Sequence, residues 1–147
     1  ARAIIPSIIT QIAVKNSVKI GNISPTRDFN YVKDIAKGFE LALKSDHYIG
    51  DVINLGTNYE ISIHDTFKLI CEVMNKKSEL ENENERIRPE NSEVERLLAD
   101  NSKAKKILKW EPEYTGLDGF KLGLEETIRW MIKPHNLQKY DTEIYNK

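Results

Sequence analysis

The sequence has one cysteine, Cys71, so no disulfide can close within the chain. Cys71 sits among Leu69, Ile70 and Val73 in a helical pattern, which predicts a buried structural thiol in a reduced, cytoplasmic setting. No apolar run approaches the roughly 20 residues that a membrane-spanning helix requires. The opening segment Ala1-Arg2-Ala3-Ile4-Ile5-Pro6 is too short for a signal peptide. Nor is there charge of one sign: 22 Lys and Arg stand against 23 Asp and Glu, leaving no net field to steer the chain onto nucleic acid or an anionic membrane. Internal repeats and low-complexity segments are also missing.

What is present suits one domain of ordinary size. The 147 residues are 39% hydrophobic and 31% charged, on the polar side for a globular chain and consistent with a surface that partly faces another body. The chain begins without Met and enters an aliphatic segment at once, which leads us to expect a piece of something longer.

Spacing predicts the elements. Ile8, Ile9, Ile12 and Ala13 mark a helix from Pro6 to Val14, with Pro6 suited to the first helical position. Ser17 to Gly21 alternates like a half-buried strand. Val32, Ile35, Ala36, Phe39 and Leu43 give a second helix, and Val52 to Gly56 a compact strand. Ser62 with Asp65 resembles a capping box before Ile63, Phe67, Ile70 and Met74. Asn75 to Ser92 reads as a loop with room for one short strand. A strand from Arg96 to Ala99 leads to Asp100 as N-cap of a brief helix, with Trp110 packed beside it. The final helix runs from Leu117 to Lys133, stopped by Pro134. The domain is therefore expected to span 1–134, followed by a loose polar tail over 135–147.

Little of this supports chemistry. A dinucleotide site needs a strand, a glycine-rich turn and a helix N-terminus. The cluster Gly116, Gly119 and Gly123 follows no aliphatic strand and reads as small packing positions in a helix. His64 and Cys71, seven residues apart on one helix, stand about 10 Å apart along its axis and cannot share a metal ion. His47 and His135 lie in polar turns. No Gly-x-Ser-x-Gly elbow presents a nucleophile. The distinctive groups are arginines in loops, Arg27 and the pair Arg86 and Arg88, whose guanidinium forks suit phosphate oxygens. Charge alone favours a surface ion pair for any one of them.

Four motifs appear in order: Gly21-Asn22-Ile23-Ser24-Pro25-Thr26-Arg27-Asp28-Phe29-Asn30-Tyr31-Val32-Lys33-Asp34; Val52-Ile53-Asn54-Leu55-Gly56; Arg88-Pro89-Glu90-Asn91-Ser92-Glu93-Val94; and Asp100-Asn101-Ser102-Lys103-Ala104 with Leu108-Lys109-Trp110-Glu111-Pro112. Together they resemble the C-terminal half of the extended short-chain dehydrogenase/reductase family over nearly the whole chain. Within that family the sequence is most similar to NAD-dependent sugar-nucleotide 4,6-dehydratases. The nearest group is the UDP-N-acetylglucosamine 4,6-dehydratases of legionaminic-acid-type pathways, with GDP-mannose 4,6-dehydratases and UDP-sugar 4-epimerases next.

The resemblance implies an α/β fold: a small, helix-rich substrate-binding lobe without the Rossmann domain. It implies an N-terminal Rossmann domain elsewhere that binds NAD and supplies a Tyr-x-x-x-Lys pair, a nucleotide-sugar substrate, and a homodimer in the full-length enzyme. No tyrosine here has Lys four residues on, so no catalytic residue and no NAD site are expected in this chain. Carried over by position, Arg27 and Arg88 resemble the two arginines that reach the substrate diphosphate. Glu93 resembles the acceptor for the ribose hydroxyls, and Ile20, Gly21 and Asn22 resemble the segment along the base. Asn91 and Ser92 look inserted before Glu93 relative to the GDP-mannose enzymes. Asp28 is expected to cap the following helix, with Asp34 inside it; Phe29 and Tyr31 are expected to pack, and Trp110 and Trp130 to fill core or interface positions. A UDP-sugar 4-epimerase portion and a stand-alone nucleotide-sugar binding module are the alternatives.

Overall fold

A computed structural model of the chain describes residues 3–45, 50–82 and 94–140. In chain order the elements are α1 (Ile4–Val14), β1 (Ser17–Ile20), β2 (Thr26–Arg27), α2 (Val32–Leu43), β3 (Ile61–Ser62), α3 (Ile63–Val73), β4 (Glu79–Asn82), β5 (Arg96–Leu97), α4 (Ser102–Leu108), α5 (Gly116–Met131) and α6 (Pro134–Leu137). They fall into two compact units, Ala1–Pro25 with Ser62–Glu95 and Leu124–Lys147, and Thr26–Ile61 with Arg96–Gly123.

In the first unit β1 and β4 pair in parallel, Val18 opposite Leu80 and Ile20 opposite Asn82. The aliphatic run of α1 supplies a core of Ile8, Ile9 and Ile12, all fully buried with Val18. Gln11, also buried, does what a third strand would otherwise do. Its amide accepts from the backbone N–H of Lys19 at 2.9 Å and donates to the carbonyl of Lys19 at 3.3 Å. The backbone of Lys19 is thereby satisfied by a side chain. The predicted capping box holds: Ser62 Oγ accepts from the N–H of Asp65 at 3.0 Å and donates to its carboxylate at 2.7 Å. Ile63, Phe67 and Ile70 line the buried face of α3. Lys76 Nζ donates to the carbonyls of Ile12 and Ala13, satisfying acceptors that the end of α1 leaves open.

The second unit contains β2 and β5, parallel, with Thr26 opposite Arg96 and Arg27 opposite Leu97, in a sheet of order β3-β2-β5. Its core is Trp110 with Ala104 and Leu108, bordered by Leu41, Ile53, Leu55 and Ile107. Trp110 Nε1 donates to the carbonyl of Asp34 at 2.9 Å. The buried carboxylate of Asp34 accepts from the N–H groups of Glu113 and Tyr114, each at 3.0 Å. A buried charge is tolerated when several donors face it. Tyr31 packs on Tyr114 and Phe29 on Phe120, with ring centroids 4.3 and 5.6 Å apart, so both aromatics pack as the sequence suggests.

Several expectations change. Val52 to Gly56 forms no strand, because no neighbouring strand pairs with it among the described residues; the carbonyl of Gly56 instead accepts from Asn101 Nδ2 at 2.7 Å. Pro6 sits in the third position of α1, where the missing N–H is harmless because the first four have no partner inside the helix. Pro134 opens α6, which Asn136 ties to the carbonyl of Trp130 at 2.8 Å. The N-cap position of α4 is Asn101, although the carboxylate of Asp100 still accepts from the N–H of Ser102. Cys71 is only partly buried, and desolvation raises its thiol above the ordinary value. Trp130 is half exposed. The apolar stripe on α2 faces solvent, while Asp34 and Gly38 on the same helix are buried.

Candidate functional site

The parallel pairing of β1 and β4 brings two strand ends to the same edge of the first unit. There the chain opens a cavity of about 400 Å³ lined by Ile20, Gly21, Asn22, Ile23, Ser24, Leu80 and Glu81. Three of the residues expected along a base, Ile20, Gly21 and Asn22, thus share one cavity. Its floor is rigid for local reasons. Asn22 Oδ1 accepts from the N–H of Ser24 at 3.1 Å, closing an Asx turn. The first N–H groups of α3 donate into the same loop, Ile63 to the carbonyl of Pro25 at 3.1 Å and His64 to that of Ile23 at 3.0 Å. Two of the open helix donors are satisfied this way and the loop is pinned at both ends. Ile20, Ile23 and Leu80 offer apolar surface, while Ser24 and the carboxylate of Glu81 offer polar edges.

Leu80 and Glu81 were not among the residues expected here. The alternation Glu79-Leu80-Glu81 was the available signal, but it is too short to fix a strand or its partner from sequence.

Arg27 lies in the second unit, on β2 rather than in a loop, half-buried, with Nη1 donating to the carbonyl of Thr26 at 2.7 Å. The segment carrying it is held from both sides. Thr26 Oγ1 donates to Glu60 at 2.6 Å, and Arg96 grips the same carboxylate with Nε at 2.8 Å and Nη2 at 2.6 Å. The bonds from Arg96, then from Thr26, hold the Glu60 carboxyl below its ordinary value. Asp28 does not cap α2. Its carboxylate accepts from Thr57, Asn58 and Ala99, and its own N–H donates to the carbonyl of Leu97 at 2.8 Å. Four donors converging on one side chain require a group that only accepts. Arg86, Arg88 and Glu93 lie outside the described residues.

Of the three clustered glycines, Gly119 and Gly123 pack against protein, while Gly116 has nothing within 4 Å of an added Cβ. A Cβ on Gly119 would come within 2.7 Å of the backbone of Tyr114, and one on Gly123 within 3.4 Å of the rings of Tyr31 and Tyr114. The space beside Gly119 and Gly123 is filled by protein. No group of three His, Cys, Asp or Glu side chains could hold a metal ion among the described residues, and no described helix is long and apolar enough to cross a membrane.

Residues 2–122 match the family model of GDP-mannose 4,6-dehydratase. The chain belongs to that family. Within the wider NAD-dependent epimerase and dehydratase branch of the short-chain dehydrogenase/reductases, it is 36% identical over 124 residues to UDP-glucuronate 4-epimerase of Thermodesulfobacterium geofontis. That match takes in 83% of this chain and 35% of the relative. The solved epimerase Mth375 of Methanothermobacter thermautotrophicus superposes with a TM-score of 0.81 at 28% identity, covering 94% of this chain and 40% of that one. UDP-glucuronic acid 4-epimerase of Bacillus cereus, solved with UDP-glucuronic acid and NAD, gives 0.72 at 25% identity, covering 88% and 40%. The chain therefore spans little more than a third of these relatives, and its fold is the small α/β lobe that forms their C-terminal, substrate-binding portion.

Proposed function

We propose that these residues are the nucleotide-sugar-binding part of an NAD-dependent sugar-nucleotide 4,6-dehydratase acting on a UDP-sugar of the N-acetylglucosamine type. The observation that carries this reading is the cavity holding Ile20, Gly21 and Asn22 beside Leu80 and Glu81. Its volume suits a nucleobase, its aliphatic walls suit a flat ring, and its backbone groups, Ser24 and Glu81 suit the polar ring edge. Arg27 supplies a guanidinium for the diphosphate, with Arg88 as its partner and Glu93 for the ribose hydroxyls. Binding at base and diphosphate fixes the sugar's orientation, which is the contribution this chain makes to the reaction.

NAD, bound by an N-terminal Rossmann portion like that of the family, supplies hydride transfer at sugar C4. In a dehydratase, water would then leave across C5 and C6 and the hydride removed from C4 would return to C6. In an epimerase, the C4 centre is returned with inverted configuration. The name of the Thermodesulfobacterium relative favours the epimerase as the second reading. Homodimerisation of the full-length enzyme and a cytoplasmic location complete the proposal.

Titration of the 147-residue chain with UDP, GDP and dTDP, followed by amide NMR, tests the binding step. Saturable shifts at Ile20 to Ser24 and at Leu80 and Glu81, joined by Arg27, Arg88 and Glu93 and strongest for UDP, are expected; no shifts at Ile20 to Ser24 would refute the assignment. Product analysis of the enzyme with its N-terminal portion separates the two chemistries, since a dehydratase yields a 4-keto-6-deoxy sugar and an epimerase a C4 epimer.

A further inference from the structure

Thr26 is engaged at two atoms. Its hydroxyl donates to Glu60 Oε2 at 2.6 Å, and its carbonyl accepts from Arg27 Nη1 at 2.7 Å. The Glu60 carboxylate is held in turn by Arg96, whose Nε lies 2.8 Å from each oxygen and whose Nη2 lies 2.6 Å from Oε1. A chain of contacts thus runs from Arg96 through Glu60 and Thr26 to the guanidinium of Arg27, all within the second unit. It crosses the whole sheet of that unit. Thr26 and Arg27 form β2, Arg96 stands opposite Thr26 on β5, and Glu60 directly precedes β3. The pair of Glu60 and Arg96 therefore joins the two strands that flank β2. This answers a weakness in the strands themselves: β2 and β5 are two residues long, and so short a parallel ladder has few backbone bonds with which to fix the segment carrying Arg27. Side chains supply the rest, Thr26 tied to Glu60 on one side of Arg27 and Asp28 tied to Thr57, Asn58 and Ala99 on the other. Arg96 is 64% and Glu60 26% exposed at the side chain, and an ion pair so open to water contributes only modestly to stability. Its effect falls on placement.

We propose that Thr26 is a positioning residue for diphosphate recognition: held by Glu60 and Arg96 through its hydroxyl, it uses its carbonyl to set the Arg27 guanidinium in place before the ligand arrives. The proposal rests on the reading above, in which Arg27 meets the diphosphate, and names the residues that prepare it. A long, flexible side chain costs affinity when a ligand has to order it, and holding it beforehand removes that cost. The gain belongs to the diphosphate and not to the nucleoside, because none of Thr26, Glu60 and Arg96 lines the cavity at Ile20 to Ser24.

The test compares dissociation constants of UDP and of uridine for the 147-residue chain, by amide NMR titration, since their ratio isolates the diphosphate. Thr26→Val removes the hydroxyl and keeps the branched shape that suits a strand. It is expected to weaken UDP binding roughly two- to tenfold, the scale of ordering one flexible side chain, and to leave uridine binding unchanged. Thr26→Ser, which restores the hydroxyl, should recover the wild-type value. The paired variant Glu60→Ala/Arg96→Ala leaves the net charge as it was and should reproduce the loss by a second route, independent of how Thr26→Val folds. In an Arg27→Ala background neither change should weaken UDP binding further, because the contacts act only through that guanidinium. Equal UDP affinity in wild type, Thr26→Val and the paired variant overturns the proposal, and so does a loss shared equally by UDP and uridine, which would mark a general loosening of the fold. Two outcomes keep the readings apart. If Arg27→Ala weakens UDP binding and Thr26→Val does not, the diphosphate site stands and the positioning role falls. If wild type binds no UDP, or binds UDP and uridine alike, the reading of the site fails and the positioning role with it.

Discussion

Asp28 accepts two hydrogen bonds from Thr57, from its hydroxyl at 2.6 Å and from its backbone N–H at 3.0 Å, all through Oδ1. Its Oδ2 serves Asn58 and Ala99. One side chain next to Arg27 therefore joins β2 to the turn after Gly56 and to the end of β5.

Asp28→Asn should cost the chain more than loss of a single bond, because the new amide N–H₂ would face backbone donors it cannot accept from. Removing an acceptor and leaving donors unsatisfied costs about 1–3 kcal/mol. Thr57→Val leaves the Asp28 carboxylate three donors but also removes the hydroxyl that accepts from the N–H of Tyr59 at 3.1 Å, so about 1–2 kcal/mol is expected. Urea unfolding of the two variants checks the order.

Trp110→Phe should destabilise the second unit by about 2–4 kcal/mol, combining a lost hydrogen bond to the Asp34 carbonyl with a void in the core. Thermal unfolding with circular dichroism measures it. A variant as stable as wild type would mean that Trp110 is not the centre of that core.

Gly119→Ala and Gly116→Ala separate packing from backbone freedom. At Gly119 the added methyl meets the backbone of Tyr114, which cannot step aside, so overpacking of about 1–3 kcal/mol is expected. At Gly116 nothing lies within 4 Å, but φ is +66°, and the cost is the roughly 1 kcal/mol of a left-handed non-glycine residue. Equal melting temperatures for Gly119→Ala and wild type would contradict the contact.

The Glu60 carboxyl is held below its ordinary value of 4.5 by Arg96 and then Thr26. Since the folded value is the lower one, the stabilisation is complete above the unfolded value and is lost as pH falls through the folded value. Arg96→Ala should raise the Glu60 titration midpoint toward 4.5, read by side-chain carboxyl NMR, and flatten the decline of stability in that acid range.

Arg27→Ala in the enzyme with its N-terminal portion should weaken nucleotide-sugar binding by about 1–3 kcal/mol, the scale of a charge-assisted bond. Calorimetry with UDP-sugar decides it, and unchanged affinity takes Arg27 out of the site.

The long amphipathic segments could be read directly from sequence. Ile8, Ile9 and Ile12, the Ser62–Asp65 cap and the stripe Phe120, Leu124, Ile128 and Met131 each declare a helix within a few turns of chain, where spacing is governed by local geometry. Ile20, Gly21 and Asn22 could be picked out only because a longer motif surrounds them. Leu80 and Glu81 could not, since they join the cavity through a parallel pairing about sixty residues away, and such pairing leaves no mark on either strand alone.

By itself the sequence determined family membership, the helices and the lack of a Tyr-x-x-x-Lys pair, because these depend on residue order and short-range periodicity. Tertiary structure decided which faces are used: Asp28 as a cross-link instead of a cap, Gln11 bonding the backbone of β1, and the α2 stripe turned toward solvent. Those outcomes depend on which distant backbone groups and side chains come within bonding or van der Waals range, and periodicity reports only that a face is apolar, never what it meets.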